Sequence, residues 1–337
     1  MTTDPVAPAT AGPPAGAINV LAPSGVPEVR VGDDLAALLL PLVELEDGDV
    51  VVVTSKVVSK AEGRVRPGTR EEALPGETVR VVARRGPTAI VRTRQGLTMA
   101  AAGIDASNVE SGTVVLLPED PDASARRLRS EIHGRTGRNV AVVVTDTAGR
   151  AWREGQTDIA VGAAGLLVLE EFAGRVDAHG NPLAVTAPAV ADEIAGMSEL
   201  AQGKLGGRPF AVVRGRADLV LPPGEDGPGA VALVRAEGAD MFGYGAREAV
   251  VRALAGHSED RAPFGAPAPA AELVAALHTV LGPDASVSDD PSGLVVGTDP
   301  TTVPVVAAVA FAHGWQAVTA PGGPETSGRV GLRPVSP

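Results

Sequence analysis

Short apolar runs frame this chain, and polar residues collect at their C-terminal ends. INVLAP, from Ile18, predicts a first strand. GDDLAALLLPLVEL follows, with Asp33 or Asp34 as N-cap of a helix whose Leu35, Leu38, Leu39 and Leu42 share a face. Val50 to Val53 are apolar without alternation, so the strand Asp49 to Thr54 is expected to be covered on both sides. Weaker strands are expected at Val79 to Ala83, Ala89 to Arg94 and Thr113 to Leu117. PDASARRLRSEIHGRTG predicts a helix on which Arg126, Arg127 and Arg129 form a solvated face. Asn139 to Thr145 is the next buried strand. The apolar, Gly/Ala-rich run Ile159 to Leu169 comes after it, then a helix at Val190 to Leu205 and a short strand at Phe210 to Val213.

From Gly256 the composition shifts to HSEDRAPFGAPAPA, a polar, Pro-rich stretch that marks a domain boundary. Beyond it, helices near Ala270 to Leu281 and Val303 to His313, with strands at Gly293 to Gly297 and around Trp315 to Thr319, predict a small α+β module. The organisation expected is a disordered Pro/Ala tail over residues 1–17, a main domain over 18–248, and a linker with an accessory domain over 249–337. The fold class is α+β, mixed α/β. No repeat occurs at a solenoid or propeller period.

Composition narrows the chemistry. The 337 residues are 44% hydrophobic but only 2% aromatic, so Val, Leu, Ala and Ile must fill the cores of what chain length suggests are two domains. A formal net charge of -12 opposes docking on nucleic-acid phosphates. It does not oppose a small anionic ligand held through a divalent cation. The absence of cysteine excludes disulfides, thiolate metal sites and a cysteine nucleophile, so any metal sits on oxygen or imidazole. The five histidines lack ligand spacing and are read as structural or surface residues. Neither a leader pattern nor a membrane-length apolar run is found, and a cytoplasmic location is expected.

Four polar clusters remain. In TDTAGRAWREGQTDIAVGAAGL, Asp146 and Thr147 close a buried strand, where a carboxylate opens onto a crevice suited to Mg2+ or Mn2+ or else caps the turn. On the plainer reading Trp152 simply packs and Arg153 and Glu154 are solvated. AAAGIDASNV places Asp105 and Asn108 in one loop, as a site or as an Asx-turn. VVVVTSKVVSK gathers Ser55, Lys56 and Lys60 after a strand, where they suit phosphates or keep a sheet edge soluble. QGKLGGRP carries Lys204 and Arg208 among three glycines, facing a ligand or ending a helix.

Taken in order and separation, TSKVVSKAEGR, AAGIDASNV, TDTAGRAWREGQTDIAVGAAGL and QGKLGGRPFAVVRG resemble the coenzyme F420-0:L-glutamate ligase family, from about Ile18 to about Arg247. The resemblance implies a GTP-dependent ligase that adds L-glutamate to F420-0 and then further glutamates, built as an intertwined homodimer. It implies divalent Mg2+ or Mn2+, two such ions, with K+ as a further cation. Carried over by motif, Asp105 and Asp146 are catalytic metal ligands, with Thr147 at a second metal. GTP would meet Gly25, Val26, Pro27, Glu28, Ser55, Lys60 and Asn108, and the loop Gln202, Gly203, Lys204, Leu205, Gly206, Gly207, Arg208, Pro209 would close over it. Arg150 and Arg153 are candidates for substrate contacts.

Such chemistry suits the residues, because a carboxylate approaching a γ-phosphate needs cations to offset the repulsion. The chain departs from the pattern twice. Where some relatives carry an acid or amide able to ligate the second metal, this chain has Lys204, and an ammonium cannot coordinate a cation. The bifunctional relatives continue into a flavin-binding domain of about 200 residues, whereas 90 residues follow Arg247 here, so that second activity is not expected. A metal-dependent phosphoesterase and a GTP-binding regulatory protein are the competing readings.

Overall fold

A strand that is apolar on both sides belongs in the middle of a covered sheet. In the computed structural model of the chain, Val50–Thr54 is the central strand of a five-stranded sheet. The structure describes residues 16–236, 239–240, 242–319 and 328–335. The expected tail over 1–17 therefore lies outside the described residues, apart from Gly16 and Ala17.

The elements in chain order are β1 (Asn19–Leu21), α1 (Leu35–Leu39), β2 (Val50–Thr54), α2 (Ser55–Ala61), β3 (Val65–Pro67), α3 (Arg70–Glu77), β4 (Thr78–Arg85) and β5 (Thr88–Thr93). They continue with β6 (Thr98–Ala100), β7 (Thr113–Val115), α4 (Pro121–Thr136), β8 (Ala141–Arg150), β9 (Arg153–Ala164), α5 (Val190–Gln202) and β10 (Phe210–Arg214). The main sheet has the order β1-β10-β2-β8-β9, and only the β2–β8 pair is parallel. Successive strand residues face opposite sides. Val51, Val53, Val142 and Val144 therefore pack with Leu39 of α1, Val58 of α2 and Leu128 and Ile132 of α4. Val50, Val52 and Val143 pack with Ala191 and Ile194 of α5.

Three of the boundaries that differ from the sequence reading have identifiable causes. Asp34 is the N-cap of α1, accepting from the Ala37 amide at 2.9 Å, but the helix stops at Leu39 because Pro41 cannot continue it. Helix α5 ends at Gln202, before Leu205, where Gly203 turns to φ 62°. Strand β8 runs on to Arg150 because β9 pairs with it as a long hairpin, Thr147 opposite Asp158.

Arg129 corrects the expectation of a solvated arginine face on α4. Arg126 and Arg127 do lie at the surface, with Asp120 and Glu62 as partners. Arg129 is buried, and every edge of its guanidinium is used. Nε donates to Val140 O at 2.8 Å. Nη1 donates to Glu225 O and Asp226 Oδ1, both at 2.9 Å. Nη2 donates to Asn139 Oδ1 at 3.0 Å and to Pro222 O at 3.1 Å. The loop Leu221–Asp226 carries carbonyls that no helix or strand satisfies, and a planar five-donor fork collects them. Gly165, at φ 68°, lies against this guanidinium with no room for a Cβ.

By contacts the described chain forms two units: the described residues through Arg80 with Val91–Val234, and Val81–Ile90 with the described residues from Arg235. The second contains α6 (Ala246–Ala255), α7 (Ala270–Leu281), β11 (Ser286–Asp290), β12 (Gly293–Gly297), α8 (Val303–Ala312), β13 (Trp315–Thr319) and β14 (Arg329–Pro334). Its antiparallel sheet, of order β11-β12-β14-β13, packs Leu294, Val296 and Leu332 on Leu273, Leu277 and Val306. Four of its elements are those the pattern predicts, and β11 and β14 complete the sheet. The scarce aromatics concentrate here: Phe264 stacks between Tyr244 and Phe311, and Arg261 lies 4.2 Å above the Phe311 ring. Among the described residues no helix is long and apolar enough to cross a membrane.

Replacing Arg129 by Met keeps the length of the side chain and strips several carbonyls, that of buried Val140 among them, of their donor, so a loss of about 3 kcal/mol is expected in urea unfolding. A change below about 0.5 kcal/mol would mean that water replaces the guanidinium at no cost.

Candidate functional site

Parallel pairing sets Thr54 opposite Thr145, so β2 and β8 leave the sheet side by side at one end. Helix α2 begins immediately, with Ser55 and Lys56 in its first turn. Ser55 Oγ donates to Asp146 Oδ1 at 2.9 Å, and Lys56 Nζ reaches Asp105 Oδ2 at 2.6 Å. Two adjacent residues thus touch the two carboxylates singled out from sequence, which are 41 positions apart.

Asp105 is positioned by backbone bonds to Val115 in β7, at 3.0 and 2.8 Å. Its carboxylate accepts from the Ser107 amide at 2.9 Å and from the Ser107 hydroxyl at 2.7 Å. The Asx-turn read from the loop is present, and the turn also aims the carboxylate at α2. Burial pushes Asp105 upward, but the Lys56 ammonium and the Ser107 bonds outweigh it and hold the carboxyl at about 2.

Asp146 differs in kind. It belongs to the Val142 and Val144 face of β8, and its one bonded side-chain partner given by the structure is the Ser55 hydroxyl. Burial pushes its carboxyl up to about 7 against that bond, and the charges of Asp158 and Asp105 push the same way.

Thr147 falls on the other face by strand alternation. Its hydroxyl donates to Asp158 Oδ1 at 2.7 Å and accepts from Lys204 Nζ at 2.7 Å. Thr145 donates to Asp158 Oδ2 at 3.1 Å. Lys204 also pairs with Glu199 at 2.8 Å and stands 3.7 Å from Asp158. Burial lowers the Lys204 ammonium, but the Glu199 bond and the charges of Asp158 and Glu199 prevail and raise it above its ordinary value.

A third group joins residues far apart in the chain. Lys60, buried in α2, donates to Glu28 Oε1 at 2.5 Å and to Asn108 O at 2.7 Å. The Gly25–Glu28 segment, Lys60 and Asn108 therefore meet, with the Asn108 backbone as acceptor. The loop 202–209 returns to the same end of the sheet, since the Thr54 amide donates to Pro209 O at 3.0 Å. Within it Leu205 is fully exposed, while Arg208 reaches Ala201 O at 3.3 Å, as a cation at a helix C-terminus does. Gln202 is buried with neither amide atom bonded. Arg150 and Arg153 face each other at the far turn of the β8–β9 hairpin, where Arg150 donates to Glu154 O at 2.9 Å. Four residues of strand put Arg150 roughly 13 Å beyond Asp146.

Sequence reasoning passed over Asp158 and Glu199. An acid at the start of the apolar run from Ile159 is the one signal that Asp158 offered. Among the described residues no group of three or more His, Asp or Glu is placed to hold a metal. Asp105 and Asp146 touch adjacent residues of α2, and two carboxylates completed by waters or phosphate oxygens are ligands of the kind Mg2+ takes. The half-buried Asp146 carboxylate, bonded to a hydroxyl and to no cation that the structure gives, favours a cation there.

Comparison with known proteins places these clusters in context. The model of the family described as F420-0:Gamma-glutamyl ligase matches residues 25–72 and 72–215. The chain is 42% identical over 218 residues to a coenzyme F420:L-glutamate ligase of Archaeoglobus fulgidus, covering 59% of this chain and 88% of that one. It is 39% identical over 239 residues to the protein of the same name from Methanopyrus kandleri, covering 64% and 93%. With the Methanosarcina barkeri protein of that name the identity is 36% over 219 residues, covering 58% and 85%. All the site residues lie inside the matched segments, and Arg235 onward lies outside them.

Asp146 holds its proton more tightly folded than unfolded, so stability falls as pH rises from the ordinary carboxylate range through about 7. Asp146→Asn removes that charge. With chelator present it should melt higher than wild type at pH 8, by on the order of 1 kcal/mol or roughly 2–4 °C, and the gap should narrow steadily as pH falls toward the ordinary carboxylate range. An equal or lower melting temperature at pH 8 contradicts an uncompensated carboxylate.

Proposed function

The chain belongs to the F420-0:gamma-glutamyl ligase family and is an enzyme of coenzyme F420 biosynthesis; from that premise we propose that it joins L-glutamate to coenzyme F420-0 with GTP as co-substrate, and that further glutamates follow through γ-linkages. The observation that carries this reading is that adjacent residues in the first turn of α2 each touch one of the two carboxylates, Ser55 on Asp146 and Lys56 on Asp105.

In this reading the carboxylate oxygen of F420-0 attacks the γ-phosphorus of GTP. The new P–O bond forms as the bond to the β-phosphate oxygen breaks, releasing GDP. The glutamate amine then attacks the acyl carbon, and an amide C–N bond forms as the C–O bond to phosphate breaks. Inorganic phosphate leaves, and the amine releases its proton to solvent. A divalent Mg2+ or Mn2+ on Asp105 and Asp146 supplies positive charge against the repulsion between two anionic reactants.

The chain's own residues have distinct parts. Ser55 holds the Asp146 carboxylate in orientation, and Lys56 does the same for Asp105. Lys60, with Gly25–Glu28 and Asn108, forms the nucleotide end, where a buried ammonium can exchange its Glu28 partner for a phosphate. Gln202–Pro209, tethered at Pro209 and carrying glycines that need no room for a side chain, closes over the bound phosphates. A homodimer is the proposed assembly.

Full-length protein incubated with F420-0, GTP, Mg2+ and L-glutamate should give mass increments of successive glutamyl residues by mass spectrometry, with GDP in step. EDTA should stop the reaction and Mn2+ or Mg2+ restore it. Asp146→Asn should lower kcat by at least about 100-fold with its fold intact by circular dichroism. Phosphate release from simple esters without GTP, or GTP binding with no product, would replace the ligase by a phosphoesterase or a regulator.

A further inference from the structure

The two faces at the end of β8 are provided for differently. On the Asp146 face a carboxylate stands without a cation of its own. On the Thr147 face three oxygen-bearing side chains already surround one. Resting on the reading above, in which Asp105 and Asp146 hold a divalent ion, we propose that Lys204 is a built-in second cation: its ammonium fills the oxygen cluster of Thr147, Asp158 and Glu199, so that the site takes one divalent ion and no more.

The Thr147 and Asp158 oxygens of that cluster are committed, and Glu199 gives one oxygen to the ammonium. The Thr147 hydroxyl gives its proton to Asp158 and a lone pair to Lys204 Nζ at 2.7 Å. Asp158, buried to 4% exposure, takes both threonine hydroxyls of β8, and the ammonium stands 3.7 Å from it. Glu199 pairs with the ammonium from the last turn of α5 at 2.8 Å. A divalent ion bound to the Thr147 hydroxyl would need that oxygen at about 2.1 Å. It would then press against the ammonium, which repels it and offers no lone pair.

Local structure holds the lysine in place. Helix α5 stops at Gly203, whose φ of 62° turns the chain, and Lys204 folds back onto Glu199, just over one helical turn earlier. Its side chain remains 61% exposed, so the charge faces outward while its tip is held by the cluster. An ammonium within the phosphate-closing loop, held by this cluster, supplies a positive charge whose presence does not depend on metal concentration. Its hydrogen bonds orient it as a donor toward an incoming polyanion.

The test is the number of Mn2+ ions bound per chain, read from the loss of the free-Mn2+ electron paramagnetic resonance signal on titrating full-length protein. Wild type should bind one ion, and Lys204→Gln, which frees the cluster and adds an amide oxygen, should bind two. Should Lys204→Gln fail to fold by circular dichroism, Lys204→Met, which removes the ammonium alone, serves the same count. Two ions in wild type, or one in both wild type and variant, overturns the proposal. No ion in wild type defeats the Asp105–Asp146 reading itself, and with it this one.

Discussion

Parallel pairing of β2 with β8 is the constraint on which the site depends. Antiparallel neighbours send their next residues to opposite ends of a sheet, whereas parallel neighbours send them to the same end. Thr54 and Thr145 are in register, so Ser55 and Lys56 emerge next to Asp146 and Thr147. The sheet is held at this position by valines that face two separate cores. A slip of one residue would exchange the faces and separate the Ser55–Asp146 bond from its setting.

Electrostatics then divides the site. Adjacent residues of one strand point to opposite faces, so Asp146 and Thr147 meet different neighbours. Asp105 is balanced by Lys56, and Asp158 by threonine hydroxyls with the Lys204 ammonium near. Asp146 has a hydroxyl and, among the described residues, no ammonium or guanidinium bonded to it. A half-buried carboxylate without a countercharge costs stability, and such groups are found where a ligand supplies the missing charge. Structure and function pull against each other at Asp146, while Asp105 and Asp158 have partners within the chain.

The same accounting separates what could be read early from what could not. Continuous valine runs revealed doubly covered strands because local composition reports burial. Gly203 and Pro41 ended helices sooner than the apolar pattern suggested, since backbone conformation overrides side-chain periodicity at those residues. Arg129 sits between surface arginines on α4 and looks like them in sequence. Its burial depends on the carbonyls of the loop Leu221–Asp226, about 90 positions away, and nothing in its own neighbourhood announces that loop. The Lys204 cluster is similar: Thr147, Asp158, Glu199 and Lys204 come from two strands, a helix and a loop.

By itself the sequence determined the mixed α/β character, the central strands, most helices, the exclusion of thiol chemistry and the four motifs that carry the family likeness. These are properties of short segments, set by period, turn chemistry and residue type. Tertiary structure alone decided which motif residues share a space and with what charge. It set Asp105 beside Lys56, left Asp146 with a hydroxyl, joined Glu28 to Lys60 and Asn108, and sent Arg150 and Arg153 to the far turn of a hairpin. The physical reason is range. A side chain's burial and partners depend on strands and loops brought together from distant parts of the chain, and only the folded register fixes them.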